Sequence, residues 1–168
     1  MIYLSTSLCL LEHTLSFSGG YLTARETDIW DLRRRDNSQS EIGRMLGVSR
    51  QAIHKAVQNI DDKVEQAFLE AAETNKLDIM KMDMVDGIME AYSPAHQLAV
   101  IVSLSKVNGL KIWYLYDVNC QKCKHEKLCR VTLEDEARER SLDLSPSDKL
   151  LTPSQLAIKI FKKYTEDH

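Results

Sequence analysis

Three cysteines fall close together in the run Cys120-Gln-Lys-Cys123-Lys-His-Glu-Lys-Leu-Cys129, a C-x2-C-x5-C arrangement. A C-x2-C pair lets two thiolates grip one metal ion or cluster from a tight turn, and a third cysteine six residues on can close the same pocket. Lys122, Lys124, Lys127 and Arg130 surround the run. Positive charge of that kind is expected to lower thiol pKa and to stabilise bound thiolates. Tetrahedral zinc and an iron–sulfur cluster both need a fourth ligand, for which Cys9 and His125 are the candidates. The spacing alone leaves three chemistries open: an iron–sulfur cluster, structural zinc, or metal-free thiols that form a redox disulfide. Cys9 also reads as an ordinary buried apolar residue.

A second set of chemistry-bearing residues lies in SQSEIGRMLGVSRQAIHKAVQ, starting at Ser38. Two crossing helices need a small residue where their backbones approach and a turn that glycine adopts at little cost. Gly43 supplies the first and Gly47 the second. Ile42, Leu46, Val48, Ile53 and Ala56 fall at spacings that bury the pair, a helix-turn-helix spanning 38–59. Arg50, Gln51, His54, Lys55 and Gln58 are then left outward on the second helix, with Ser49 as its cap. Arginine suits guanine edges, glutamine suits adenine, and lysine neutralises a phosphate. An ordinary helical hairpin with a solvated polar face is the competing reading. From Arg33 to Asn59 six basic residues stand against Asp36 and Glu41, a local charge of +4 in a chain whose net charge is −3.

The elements that must position these residues follow from caps and periodicity. Residues 1–20 read as an arm ending at Gly19-Gly20. Thr23-x-x-Glu26 is a capping box that opens a helix reaching about Arg35. Ser38-x-x-Glu41 opens a second, short helix ended by Gly47, and Ser49 caps a third reaching roughly Thr74. Within that long helix Ile53, Val57, Ile60, Val64, Ala67 and Ala71 are spaced alternately four and three apart. This is a seam that packs on the protein's own sheet or pairs two chains. The period then changes: 77–82, 87–93, 98–104 and 110–116 are rich in β-branched and aromatic residues, with Asn108-Gly109 as a hairpin turn. A cysteine loop follows, then a charged helix near 131–141. Thr152-Pro153 opens a last amphipathic helix through Tyr164. The fold class is α+β, with domains expected at 21–76 (DNA binding) and 77–168 (sensor and metal binding).

The stretch LTARETDIWDLRRRDNSQSEIGRMLGVSRQAIHKAVQNI resembles the DNA-binding domains of sigma-factor region 4, LuxR-type regulators and archaeal Tfx-like regulators. The likeness covers about a quarter of the chain. It implies sequence-specific DNA binding by Arg50, Gln51, His54 and Lys55. Beyond residue 77 the LuxR and sigma patterns do not continue, so the signal being sensed is not implied. The cysteine spacing resembles the iron–sulfur staple of certain helicase–nuclease proteins, in which a distant upstream cysteine completes the set. That resemblance implies Cys9 as the fourth ligand. No nuclease carboxylate pattern accompanies it, so only the ligand arrangement carries over.

With 168 residues, 43% hydrophobic and 28% charged, the chain has the composition of a globular protein able to bury a core. The apolar first twenty residues lack the positive n-region of a secretory signal, and Glu12 and His13 interrupt them. No later stretch reaches membrane-spanning length. A cytoplasmic location is therefore expected, and with it metal or redox chemistry for the cysteines before structural disulfides. No nucleophile triad, phosphate-binding glycine loop or paired carboxylate motif points to an enzyme, and Tyr92 and His96 around Pro94 read as a strand-end turn. The expected function is a transcriptional regulator of double-stranded DNA. We expect a homodimer that senses redox state, oxygen or metal through a cysteine-ligated iron–sulfur cluster. Structural zinc, with a small ligand or partner protein as the signal, is the alternative.

Overall fold

A computed structural model describes residues 21–116 and 118–165. Three helices come first: α1 (Ala24–Arg34), α2 (Gln39–Leu46) and α3 (Arg50–Asn75). Both shorter helices start at the capping boxes expected for them. Thr23 and Ser38 each accept from the backbone N–H three residues on, while Glu26 and Glu41 reach back to the cap N–H. Four strands follow, β1 (Asp78–Asp83), β2 (Ile88–Ser93), β3 (Leu98–Ser105) and β4 (Gly109–Tyr114), in an antiparallel sheet of order β1-β2-β3-β4. Helices α4 (Glu126–Glu139) and α5 (Pro153–Phe161) close the described chain. A mixed α+β fold with one long helix and a four-stranded sheet is thus what the chain forms.

Side-chain alternation on the strands explains the layering. Met89, Ala91, Val100, Val102, Leu104, Ile112 and Tyr114 point to one side, where they join Ile29, Trp30, Ile42, Ile53, Val57, Ile60, Val64 and Phe68 of the first three helices. Ile88, Ile101 and Trp113 point to the other and pack with Leu133, Ala137, Leu156, Ala157, Ile160 and Phe161 of α4 and α5. The sheet is therefore sandwiched between α1–α3 and α4–α5. At about 1.5 Å per residue, the 26-residue α3 is roughly 40 Å long, enough to reach from its exposed start to the sheet face.

One open alternative is decided and three local expectations are revised. The alternating seam of α3 is filled from within: Ile53, Val57, Ile60, Val64, Ala67 and Ala71 are all buried, so this face is not open to a second chain. Val48 is exposed rather than buried, because it stands just past the turn at Gly47. At the β3–β4 turn only Gly109 takes a positive φ, 65°, while Val107 and Asn108 donate their backbone N–H groups to the Ser105 hydroxyl. Helix α4 starts five residues earlier than expected, at Glu126. Among the described residues no helix is long and apolar enough to cross a membrane.

Candidate functional site

Ser49 caps α3 by accepting from the Ala52 N–H at 3.1 Å. From there Arg50, Gln51, His54, Lys55 and Gln58 are all exposed. Their spacing places them along one stripe, since residues three and four apart share a helix face. The opposite face, with Ile53, Val57 and Ile60, is buried. Gly47, at φ 67°, turns the chain between α2 and α3. A Cβ at Gly43 would stand 2.8 Å from the Val48 carbonyl oxygen, so only glycine allows this approach. Arg25 adds a brace by donating to the Leu46 carbonyl at 3.1 Å.

The middle of α3 is clamped to α1. The Glu26 carboxylate, already part of its own capping box, also accepts from Lys63 Nζ at 2.8 Å and from Asn59 Nδ2. Burial would raise the pKa of Glu26, but the hydrogen bonds from Lys63 and Thr23 and the Lys63 charge hold it below the usual carboxylate value. The stripe is thus mounted on an element whose inner face and flank are both fixed.

The local charge of +4 divides into two populations. Arg33 pairs with Asp61, Arg34 with Glu139 and Arg35 with Asp31. Arg44, Arg50 and Lys55 lie on the exposed surface around the turn and stripe. Half of the basic residues in the sequence run therefore serve the protein's own architecture. Met45, 61% exposed, and Val48 add apolar surface beside the stripe. Sequence reasoning did not single out Met45, which occupies an exposed position on α2.

The cysteine run forms a second constellation. Cys120 opens a 3-10 turn, and the Cys123 N–H donates to the Cys120 carbonyl at 2.9 Å, the reversal a C-x2-C pair requires. Cys129 lies in the first turn of α4, its N–H on the His125 carbonyl. Cys120 and Cys129 are buried free thiols, whereas Cys123 is half-buried and engaged in a disulfide, against the expectation of metal or redox thiols before disulfides. Cys120 Sγ rests 3.7 Å from the Ser154 hydroxyl at the start of α5. Arg130 donates to the carbonyls of Lys149 and Leu151, which ties α4 to the segment leading into α5.

Burial first, and the nearby Cys120 second, push the Cys129 thiol up to about 11. The expected lowering by surrounding lysines and arginine does not reach this thiol. Lys122, Lys124 and Lys127 are exposed, and Arg130 is turned toward carbonyl oxygens. Two buried thiols close together suit a soft metal, whose positive charge would stabilise the Cys129 thiolate that burial disfavours. His125 sits at the N-cap of α4 without a side-chain capping bond. Cys9 lies outside the described residues, among which no three His, Cys, Asp or Glu side chains gather as a metal-ligand group.

One further group escaped sequence reasoning. Glu136 of α4 and Arg140, the residue that caps its C-terminus, form an ion pair with both side chains fully buried, and Arg34 and Glu139 form another at 3.2 Å with side chains 3% and 4% exposed. Their signal in LEDEARER looks like a solvated helix face. The chain matches no family profile, no curated protein and no solved structure.

Proposed function

We propose that the chain is a sequence-specific, double-stranded-DNA-binding transcriptional regulator in which α2, the Gly47 turn and α3 act as a helix-turn-helix. The observation that carries this reading is the exposed Arg50-Gln51-His54-Lys55-Gln58 stripe on the first turns of a capped helix whose other face is wholly packed. Such a helix presents donors and acceptors to base edges in the major groove, while Arg44 and Lys55 neutralise phosphates. Ser49, at the cap, would donate to a phosphate beside the first turn.

The cysteine pocket is the regulatory part of this proposal. Once the Cys123 disulfide is reduced, Cys120, Cys123 and Cys129, with Cys9 as fourth ligand, would hold an iron–sulfur cluster. Structural zinc is the alternative, and His125 then competes for the fourth place. When bound, such a group supplies positive charge to the thiolates and, if it is a cluster, a change of oxidation state. The chain's own contribution is to bury Cys120 and Cys129 side by side between α4 and the start of α5. An absorption spectrum of protein purified without oxygen separates cluster from zinc.

Selection of duplexes from a random pool by the full chain tests the DNA reading. A recurring sequence is expected, bound about a thousandfold or more tighter than scrambled duplex. Gln51→Ala should relax preference at one position, while substitution of Lys55 should weaken all sequences alike and reduce the salt dependence. A pool that returns without enrichment contradicts the reading.

A further inference from the structure

We propose that α4 and the Glu139–Arg34 ion pair couple the cysteine pocket to the DNA-reading helices, with Arg34 as a positioning residue; the inference rests on the DNA-binding function proposed above. Helix α4 carries Cys129 in its first turn and Glu139 at its end. Ten residues separate them, about 15 Å along a helix. One end of this rod is set by the packing around the thiols. The other end is fastened to α1.

That fastening is dense. The Glu139 carboxylate accepts from Arg34 at 3.2 Å, from the Ser105 hydroxyl at 2.7 Å, and from the backbone N–H groups of Lys106 and Val107 at 3.1 Å each. Arg34 lies over the Trp30 ring at 4.1 Å and donates to the Val85 carbonyl. Trp30 in turn donates to the Met84 carbonyl at 2.8 Å. Lys106, from the same β3–β4 turn that Glu139 caps, reaches back to Asp31 of α1 at 2.9 Å. The end of α4 and the last turns of α1 therefore share one hairpin turn as well as a direct ion pair.

A buried ion pair tolerates little displacement, because separating its members leaves desolvated charge without a partner. A shift of α4 that follows a change at Cys129 must carry α1 with it or break this pair. Helix α1 is the element that holds α3 through Glu26, so its position sets the presentation of the recognition stripe. None of the coupling pair's atoms touches DNA in the arrangement proposed.

A double-mutant cycle on the full chain tests the route, read as affinity for the selected operator and as amide exchange of residues 30–34. Cys129→Ser perturbs the pocket and Glu139→Gln perturbs the pair; Lys106→Ala, at a half-exposed side chain, replaces Glu139→Gln where the latter does not fold. Substitutions this far apart along α4 ordinarily multiply, the combined effect matching the product of the single effects within about twofold. The proposal predicts a departure of about fivefold or more, the lower range for coupled sites. It also predicts that Cys129→Ser accelerates exchange in residues 30–34 only while the pair is intact. Multiplicative effects in folded variants overturn the route and leave the DNA-binding reading standing. A Cys129→Ser protein with unchanged operator affinity overturns regulation through the pocket, and failure to select any operator overturns the DNA reading itself.

Discussion

The start of α3 and the end of α4 are both crowded with charged and polar residues, yet they do opposite things. On α3 the polar residues form an exposed stripe over a packed apolar face. At the end of α4 the side chains of Glu136 and of the C-cap residue Arg140 are fully buried and that of Glu139 nearly so, joined to Arg34 and the β3–β4 turn. A surface helix is expected to turn its charges to water. The contrast teaches that charge density along a helix does not say which way the charges point. What decides is whether partners of opposite sign arrive from distant elements, as Arg34 does across 105 residues.

The largest effect that would break this contrast comes from placing a charge on the packed side of α3. Val64→Glu should cost on the order of 4–5 kcal/mol, the scale for an unpaired charge in a core, and should abolish cooperative thermal unfolding. A stably folded Val64→Glu protein would return the seam to the surface and reopen it as a pairing face between chains.

At the end of α4, Glu136→Ala strands the buried Arg140 guanidinium and should lower stability by about 3–5 kcal/mol in denaturant titration. Combining Glu136→Leu with Arg140→Met removes both charges and should recover most of that loss. If the single change costs no more than a surface substitution, the Glu136–Arg140 pair does not hold α4 against the sheet.

A smaller effect lies at the thiols. Burial raises Cys129 to about 11 from the ordinary value near 9. A group whose folded pKa is raised stabilises the fold fully below its unfolded pKa and ceases to do so as pH rises through the folded one. In metal-free, reduced protein that contribution should be present below about pH 9 and fade between 9 and 11. Alkylation of Cys129 should gain its pH dependence over the same window. A thiol that alkylates with a midpoint at or below pH 8 would contradict the burial argument and restore the influence of the neighbouring lysines.

Much of this architecture was legible in the residues where a local rule dominates. Thr23, Ser38 and Thr152 begin their helices where the capping pattern puts them, because a cap is a contact over three residues. The strands fall within a residue or two of the expected runs, since alternation and turn signals bound them. Helix α4 was misjudged at its start because His125 makes no side-chain cap for a pattern to reveal. The local charge of +4 overstated the unpaired positive surface, because the partners Asp61 and Glu139 of Arg33 and Arg34 lie far along the chain. The stripe residues were identifiable, as helical spacing alone separates them from the buried set. The cysteines were legible as a ligand pattern, while the contact of Cys120 with Ser154 at the start of α5 comes from more than thirty residues away.

The division of the basic run supplies the most direct test of the central claim. Arg50 is exposed on the stripe, whereas Arg33, seventeen positions earlier in the same run, is held by Asp61. Operator affinity measured for Arg50→Ala and Arg33→Ala at one salt concentration separates the two roles. The account predicts a loss of about 1–3 kcal/mol in specific binding for Arg50→Ala with folding unchanged, and near wild-type specific affinity for Arg33→Ala. Equal losses from both, or a loss confined to Arg33→Ala, would contradict the assignment of α3 as the DNA-reading helix.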